Sequence, residues 1–175
     1  LLTHTEVVTL FHEFGHTLHS LLSETRYARF SGTRVATDFV EFPSQMLENW
    51  AWDRDVLARI TRHHETGQPL PADQLDALLR ARRVCGGLRT LAQIWLGQLD
   101  LRYHTLTPEA AAELDTTAAS TEVYESVMLR PAPPNTFVEA SFGHLMGYQA
   151  GYYSYLWALV YAQDAAARFQ EAGML

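Results

Sequence analysis

The stretch Thr5-Glu6-Val7-Val8-Thr9-Leu10-Phe11-His12-Glu13-Phe14-Gly15-His16-Thr17-Leu18-His19-Ser20-Leu21-Leu22 decides the reading of this chain. Its apolar positions Val7, Leu10, Phe11, Phe14, Leu18, Leu21 and Leu22 recur at helical spacing, which predicts an amphipathic helix with Thr5 as its N-cap. Inside it, His12-Glu13-Phe14-Gly15-His16 is an H-E-x-x-H motif. Two helical residues four apart lie about 40° apart in azimuth and one turn apart along the axis, so both imidazoles can address one metal ion. Glu13 stands beside them, where its carboxylate can take a proton from water instead of ligating. The pentapeptide is short, but its helix is largely apolar, and two histidines with a glutamate on such a helix need a partner charge or a metal. Zinc is the ion this set implies.

A catalytic zinc takes three protein ligands and keeps a fourth position open. The extended pattern H-E-x-x-H-x-x-G-x-x-H requires glycine at position 19 and histidine at position 22, whereas this chain has His19 and Leu22, so that class is excluded. His19 shares the helix face, yet a residue two turns from His12 reaches a common ion less easily than one on a facing helix. Glu41, 25 positions after His16, can return from the start of a second helix. Asp38, Glu24 and Glu48 offer the same chemistry, although Asp38 can instead cap its helix or orient a ligand histidine. Spacing alone gives Glu41 only a lead.

Outward from this motif, the 175 residues are 47% apolar, enough to bury a core. Thirteen Lys plus Arg against 20 Asp plus Glu leave a net charge of −7, which supplies no basic surface for nucleic acid or anionic membrane. The lone Cys85 cannot form an internal disulfide and reads as a small buried hydrophobe. No apolar run nears the roughly 20 residues that span a bilayer. The chain opens at Leu1 and runs directly into the helical pattern, so residues 1–175 read as part of one domain of a longer protein.

The remaining elements are almost all helical. Residues 23–36, with the turn signal Ser31-Gly32-Thr33, are predicted to form a loop with a small β-hairpin. A second helix is expected from Asp38 to about His64, with Pro43 tolerated near its first turn and His63-His64 closing it. A third is expected from Ala72 through Leu99 across Gly86-Gly87, with Arg80, Arg82, Arg83 and Arg89 on a solvated face. Thr107-Pro108 starts a short helix, residues 121–129 form another, and 130–136 is a proline-rich linker. Helical pattern resumes over 150–169, where Tyr153, Trp157 and Tyr161 at i, i+4 and i+8 read as core.

Taken together, Phe11-His12-Glu13-Phe14-Gly15-His16, Ser31-Gly32-Thr33 and Asp38-Phe39-Val40-Glu41-Phe42-Pro43-Ser44-Gln45-Met46-Leu47-Glu48-Asn49-Trp50 strongly resemble the thimet oligopeptidase family of zinc metallopeptidases. The resemblance runs from Leu1-Leu2 to Phe169. It implies a mainly α, multi-helical, zincin-like catalytic domain, one Zn²⁺ per chain held by His12, His16 and Glu41, and Glu13 as the proton-transferring residue. It also matches Gly143-His144-Leu145-Met146-Gly147-Tyr148 and Gly151-Tyr152-Tyr153-Ser154-Tyr155 to the family's glycine-rich loop and tyrosine cluster. Tyr148 and Tyr155 are then the oxyanion donors, assisted by His144, with Tyr152 and Gly147 as substrate contacts; a neutral phenol is a suitable donor. The implied activity is zinc-dependent hydrolysis of peptide bonds in short peptides. The alternatives are release of C-terminal dipeptides and a non-catalytic helical zinc module, the last disfavoured because structural zinc sites usually have four Cys or His ligands. The resemblance and the absence of a disulfide framework imply a cytoplasmic location.

Overall fold

In the computed structural model, which describes residues 1–175, the chain forms helices and turns and no β-strand, so the mainly α expectation holds. Contacts divide it into two compact units, residues 1–84 with 157–175, and residues 85–156.

The first unit is organised by α1 (His4–Leu21). It starts two residues earlier than its apolar pattern indicates, because Thr3 and not Thr5 caps it. The Thr3 hydroxyl accepts the Glu6 N–H at 3.3 Å, while the Glu6 carboxylate accepts the Thr3 N–H at 2.7 Å, a reciprocal capping box. The expected hairpin after α1 is absent. Gly32, at φ +59°, turns the chain back toward α1 and donates its N–H to Ser23 Oγ at 3.1 Å, and only a 3-10 turn, Ala28–Phe30, forms before it.

The single second helix expected over 38–64 is broken into α2 (Thr37–Val40), α3 (Phe42–Leu47), a 3-10 turn (Glu48–Trp52) and α4 (Arg54–Ile60). Pro43 has no N–H to continue the ladder from α2, so a new helix starts around it. Asp53, in extended backbone, ends the 3-10 turn and caps α4 by accepting the N–H groups of Asp55 and Val56 at 2.9 and 3.0 Å. Since α4 stops at Ile60, His63 lies in the following turn, where its Nδ1 accepts the N–H of Thr66 at 3.2 Å. α1 packs on α3, and His4 Nε2 meets the Ala51 carbonyl oxygen at 2.8 Å. Ala51, Val56, Leu57 and, from α5 (Ala72–Ala81), Leu75 are buried.

The second unit is built on α6 (Gly86–His104) and α8 (Thr116–Met128), joined by α7 (Pro108–Ala112), which Thr107 caps as its Thr-Pro start requires. The predicted continuous third helix is interrupted before Gly86-Gly87, at Cys85, whose backbone is left-handed at φ +54°. Cys85 is exposed, not buried. Leu99, Val123 and Val127 form the core, with Leu91, Ile94, Trp95, Tyr103 and Phe142 packed against it. α9 (Val138–Ser141) and a 3-10 turn (Gly143–Met146) follow the proline-rich segment.

α10 (Ser154–Ala172) passes from the second unit into the first. Its buried stripe is Ser154, Ala158, Ala162 and Ala166, at i+4 spacing. Tyr153, Trp157 and Tyr161 are 42%, 53% and 50% exposed, so the core role expected of them is overturned. The small side chains are therefore the buried ones and the large aromatics the exposed ones. No helix is long and apolar enough to cross a membrane.

Candidate active site

H-E-x-x-H lies on the exposed-to-buried boundary of α1, where the facing helix α3 sets the third donor. His12 Nε2 and His16 Nε2 lie 3.2 and 3.3 Å from the same Glu41 oxygen, Oε2, and the three donor atoms fall within 4.8 Å of one another. About 3.3 Å is the edge of a tetrahedron whose centre is about 2.0–2.2 Å from each corner, the bond lengths of Zn²⁺ to histidine nitrogen and carboxylate oxygen. The donor set therefore fits a zinc ion. His19, Asp38 and Glu24 stand outside this group: His19 rests edge-on against Phe39, and α2 has Ala36, not Asp38, at its N-cap.

The approach of α1 to α3 is set by Gly15. A Cβ there would lie 2.5 Å from Ser44 Cα and 2.8 Å from the Pro43 oxygen, so only a glycine permits this spacing. Ser44, fully buried, donates its hydroxyl to the Glu41 carbonyl oxygen and to Glu41 Oε2, both at 2.9 Å. Burial pushes the Glu41 carboxyl up, but the bonds from His12 and Ser44 and the charge of the two histidines outweigh it and hold its pKa below the usual carboxylate value. The bond to Glu41, followed by that to Glu48, raises His12 to about 9 against the cost of burial. Glu13 is exposed beside the ligands, and its carboxylate makes no hydrogen bond or ion pair.

Glu48 makes a contact at the site that spacing undersold. Its Oε1 lies 2.8 Å from His12 Nδ1, so the two nitrogens of one imidazole address two carboxylates. The signal was there: Glu41, Ser44 and Glu48 stand at i, i+3 and i+7, the spacing that puts side chains on one helical face. Such a partner fixes the tautomer and orientation of a ligand histidine.

In the second unit, His144 is the centre of an aromatic cluster. Its ring lies 5.5 Å from Tyr148, 5.1 Å from Tyr152, 5.7 Å from Tyr155 and 5.6 Å from Phe142. The backbone turns between them, with Tyr148 N–H donating to the His144 oxygen at 3.0 Å. Tyr152 precedes α10 instead of lying within the helix expected from residue 150. Tyr148 is 66% exposed, whereas Tyr152 is half-buried and donates its hydroxyl to Gln93 Oε1 at 3.1 Å. Burial raises the Tyr152 pKa, so it remains a neutral donor. Gly147 borders open space.

The model of the Peptidase family M3 matches residues 1–175. The chain belongs to peptidase family M3. This M3 chain is 45% identical over 178 residues to oligopeptidase A of Escherichia coli (strain K12), covering 99% of the chain and 26% of that relative. It is 43% identical over 168 residues to mitochondrial intermediate peptidase of Botryotinia fuckeliana (strain B05.10), covering 93% and 21%. Dipeptidyl carboxypeptidase of Escherichia coli (strain K12) is 40% identical over 178 residues, covering 100% and 26%. The M3 chain thus spans about a quarter of the length of these curated relatives.

Proposed function

We propose that the protein carrying this chain is a zinc-dependent oligopeptidase that hydrolyses peptide bonds in short peptides, with residues 1–175 forming part of its catalytic domain. The observation that carries the reading is the convergence of His12 Nε2, His16 Nε2 and Glu41 Oε2 within 4.8 Å, with the free carboxylate of Glu13 on the same helix. Three converging donors are the number that a catalytic zinc takes from the protein. Bound there, zinc supplies Lewis-acid polarisation of a carbonyl and acidification of water.

The chain's own residues supply the remainder. His12, His16 and Glu41 hold the ion; Glu48 accepts from His12 Nδ1–H and aims Nε2 at it, and Ser44 fixes the Glu41 oxygen. The Glu13 carboxylate takes the proton of the attacking water and passes it to the departing amine. Tyr148 and Tyr155 donate their hydroxyls to the developing oxyanion, where a preorganised donor is worth far more than water. His144 packs against both rings and sets their attitude. Tyr152, with its hydroxyl on Gln93, offers a peptide its ring, and Gly147 leaves room for the peptide backbone.

The test is Glu13→Gln in the full-length protein. Zinc content per chain should stay at the wild-type level while kcat falls about 10²- to 10⁴-fold; near-normal turnover overturns the role of Glu13. Zinc measured on Glu41→Ala should be weakened, and zinc indifferent to that change overturns the ligand set. Cleavage of internally quenched against C-terminally blocked peptides then separates internal hydrolysis from release of C-terminal dipeptides.

A further inference from the structure

The second unit contains a buried charge that the proposed chemistry does not use. Asp100, on α6, is 0% exposed. A carboxylate removed from water must have its oxygens satisfied by donors, and each one here can be traced. His104 Nδ1 lies 2.8 Å from Oδ1, one helical turn further along α6. The other two donors are backbone amides of the segment between His144 and α10: Ala150 N–H to Oδ1 at 2.9 Å and Tyr152 N–H to Oδ2 at 2.9 Å. Ala150 is held at φ +54°, a left-handed backbone that a residue with a Cβ keeps only when its surroundings impose it.

The same face of α6 continues the contact. Gln93, Gly97, Asp100 and His104 stand at i, i+4, i+7 and i+11, the repeat of a single helical stripe. Gln93 accepts the Tyr152 hydroxyl. Gly97 faces the backbone of Tyr153, where a Cβ would sit at ordinary contact distance, 3.7 Å from Tyr153 Cα. Asp100 takes two amides, and His104 occupies the remaining face of its carboxylate. This stripe grips the chain at residues 150, 152 and 153, between the two tyrosines proposed as oxyanion donors.

We propose that Asp100, braced by His104, is a positioning residue. Its carboxylate holds the backbone of residues 150–152 in the one conformation that fixes the hydroxyls of Tyr148 and Tyr155 for donation to the oxyanion. The proposal rests on the tyrosine roles given above and acts through them, since Asp100 itself touches no substrate. Asp100→Asn keeps the side-chain shape but turns one acceptor into an NH₂ facing an amide donor, so it releases the segment without opening a cavity.

The experiment measures kcat, KM and zinc content in the full-length zinc-loaded protein for Asp100→Asn, for the paired change Tyr148→Phe with Tyr155→Phe, and for all three combined. Asp100→Asn is expected to lower kcat about tenfold or more, with KM little altered and zinc content unchanged. In the background lacking both hydroxyls, the same substitution should cost less than about twofold, because there is no donor left to position. Hydrogen exchange of the Ala150 and Tyr152 amides should accelerate. A kcat within about twofold of wild type, or a loss that multiplies in full in the Phe background, overturns the proposal. If the paired Phe variant turns over like wild type, the tyrosine reading has failed and this inference falls with it. Should Asp100→Asn not fold, His104→Asn carries the same test: a smaller kcat loss that vanishes in the Phe background supports the proposal, and an unchanged kcat refutes it.

Discussion

Gly15→Ala adds one methyl group and touches no metal ligand, yet it should disable the metal centre. The new Cβ would lie 2.5 Å from Ser44 Cα, 2.8 Å from the Pro43 oxygen and 2.9 Å from Ser44 N. All three are backbone atoms of α3, so no side chain can swing aside. Restoring an ordinary carbon contact requires α1 and α3 to separate by about 1 Å. The Ser44 hydroxyl holds Glu41 Oε2 at 2.9 Å, so the carboxylate moves with α3, away from histidine nitrogens now 3.2 and 3.3 Å from it. Metal sites tolerate errors of about 0.2 Å, well below that displacement. Alanine gains at most about 1 kcal/mol of helix propensity over glycine, whereas overpacking costs about 1–3 kcal/mol, so the contact decides the sign. We expect the metal-free protein to lose about 1–2 kcal/mol in urea unfolding and zinc affinity, read by chelator competition, to drop about tenfold or more. Lost stability with wild-type zinc affinity would refute the argument that this spacing sets the ligand geometry; wild-type values of both would refute the close contact itself.

Other perturbations read different parts of the structure. His12, raised from 6.5 to about 9 by Glu41 and then Glu48, stabilises the metal-free fold fully below pH 6.5 and loses that contribution as pH rises through about 9. The Tm of the metal-free protein should therefore fall across that window, and a flat profile contradicts the carboxylate pairing. Because zinc must displace the same proton, its apparent affinity should rise about tenfold per pH unit over the range, which calorimetric titration in buffers of different ionisation heat can follow. Glu48→Ala should weaken zinc about 10- to 100-fold by freeing His12 Nδ1, and unaltered affinity would remove Glu48 from the site. Leu99→Ala, at a fully buried position, should cost about 2–5 kcal/mol in denaturant unfolding.

How far the fold was legible follows from what periodicity measures. α1 could be read because its large apolar residues repeat on one face and its ligands are fixed by spacing within a single helix. The 38–64 segment could not, although Pro43 was in view, because the apolar repeat continues through a helix break and only hydrogen bonding reveals where one helix stops and the next begins. Cys85 carries its left-handed backbone with no glycine to advertise it. α10 misled in the opposite direction. Its aromatics and its Ser154-Ala158-Ala162-Ala166 stripe are equally periodic, and the rule that large apolar residues face inward chose the wrong one. An alanine carries too little apolar surface for its pattern to distinguish a buried face from an exposed one.

The site divides along the same line. Of the residues proposed to carry chemistry, His12, Glu13 and His16 are recognisable by type and local spacing, whereas Tyr148 and Tyr155 are singled out by the family resemblance alone. Glu48 and Asp100 are ordinary carboxylates in sequence, distinguished only by what the tertiary path brings to them: an imidazole Nδ1 at 2.8 Å for Glu48, two loop amides and a histidine for Asp100. Both take donors from the element that bears the functional groups, and both therefore convert a flexible attachment into a fixed one. A carboxylate does this better than a neutral acceptor because its bonds to N–H donors are charge-assisted and stronger in a partly buried setting. The arrangement accounts for the difference in their burial. Glu48 faces His12 and remains partly exposed at 31%, whereas Asp100 at 0% relies on His104 and two backbone amides to compensate it, and so all of its donors must remain in place. Loss of one donor at Asp100 should consequently cost more than loss of one at Glu48, in the position of the segment it holds as well as in stability.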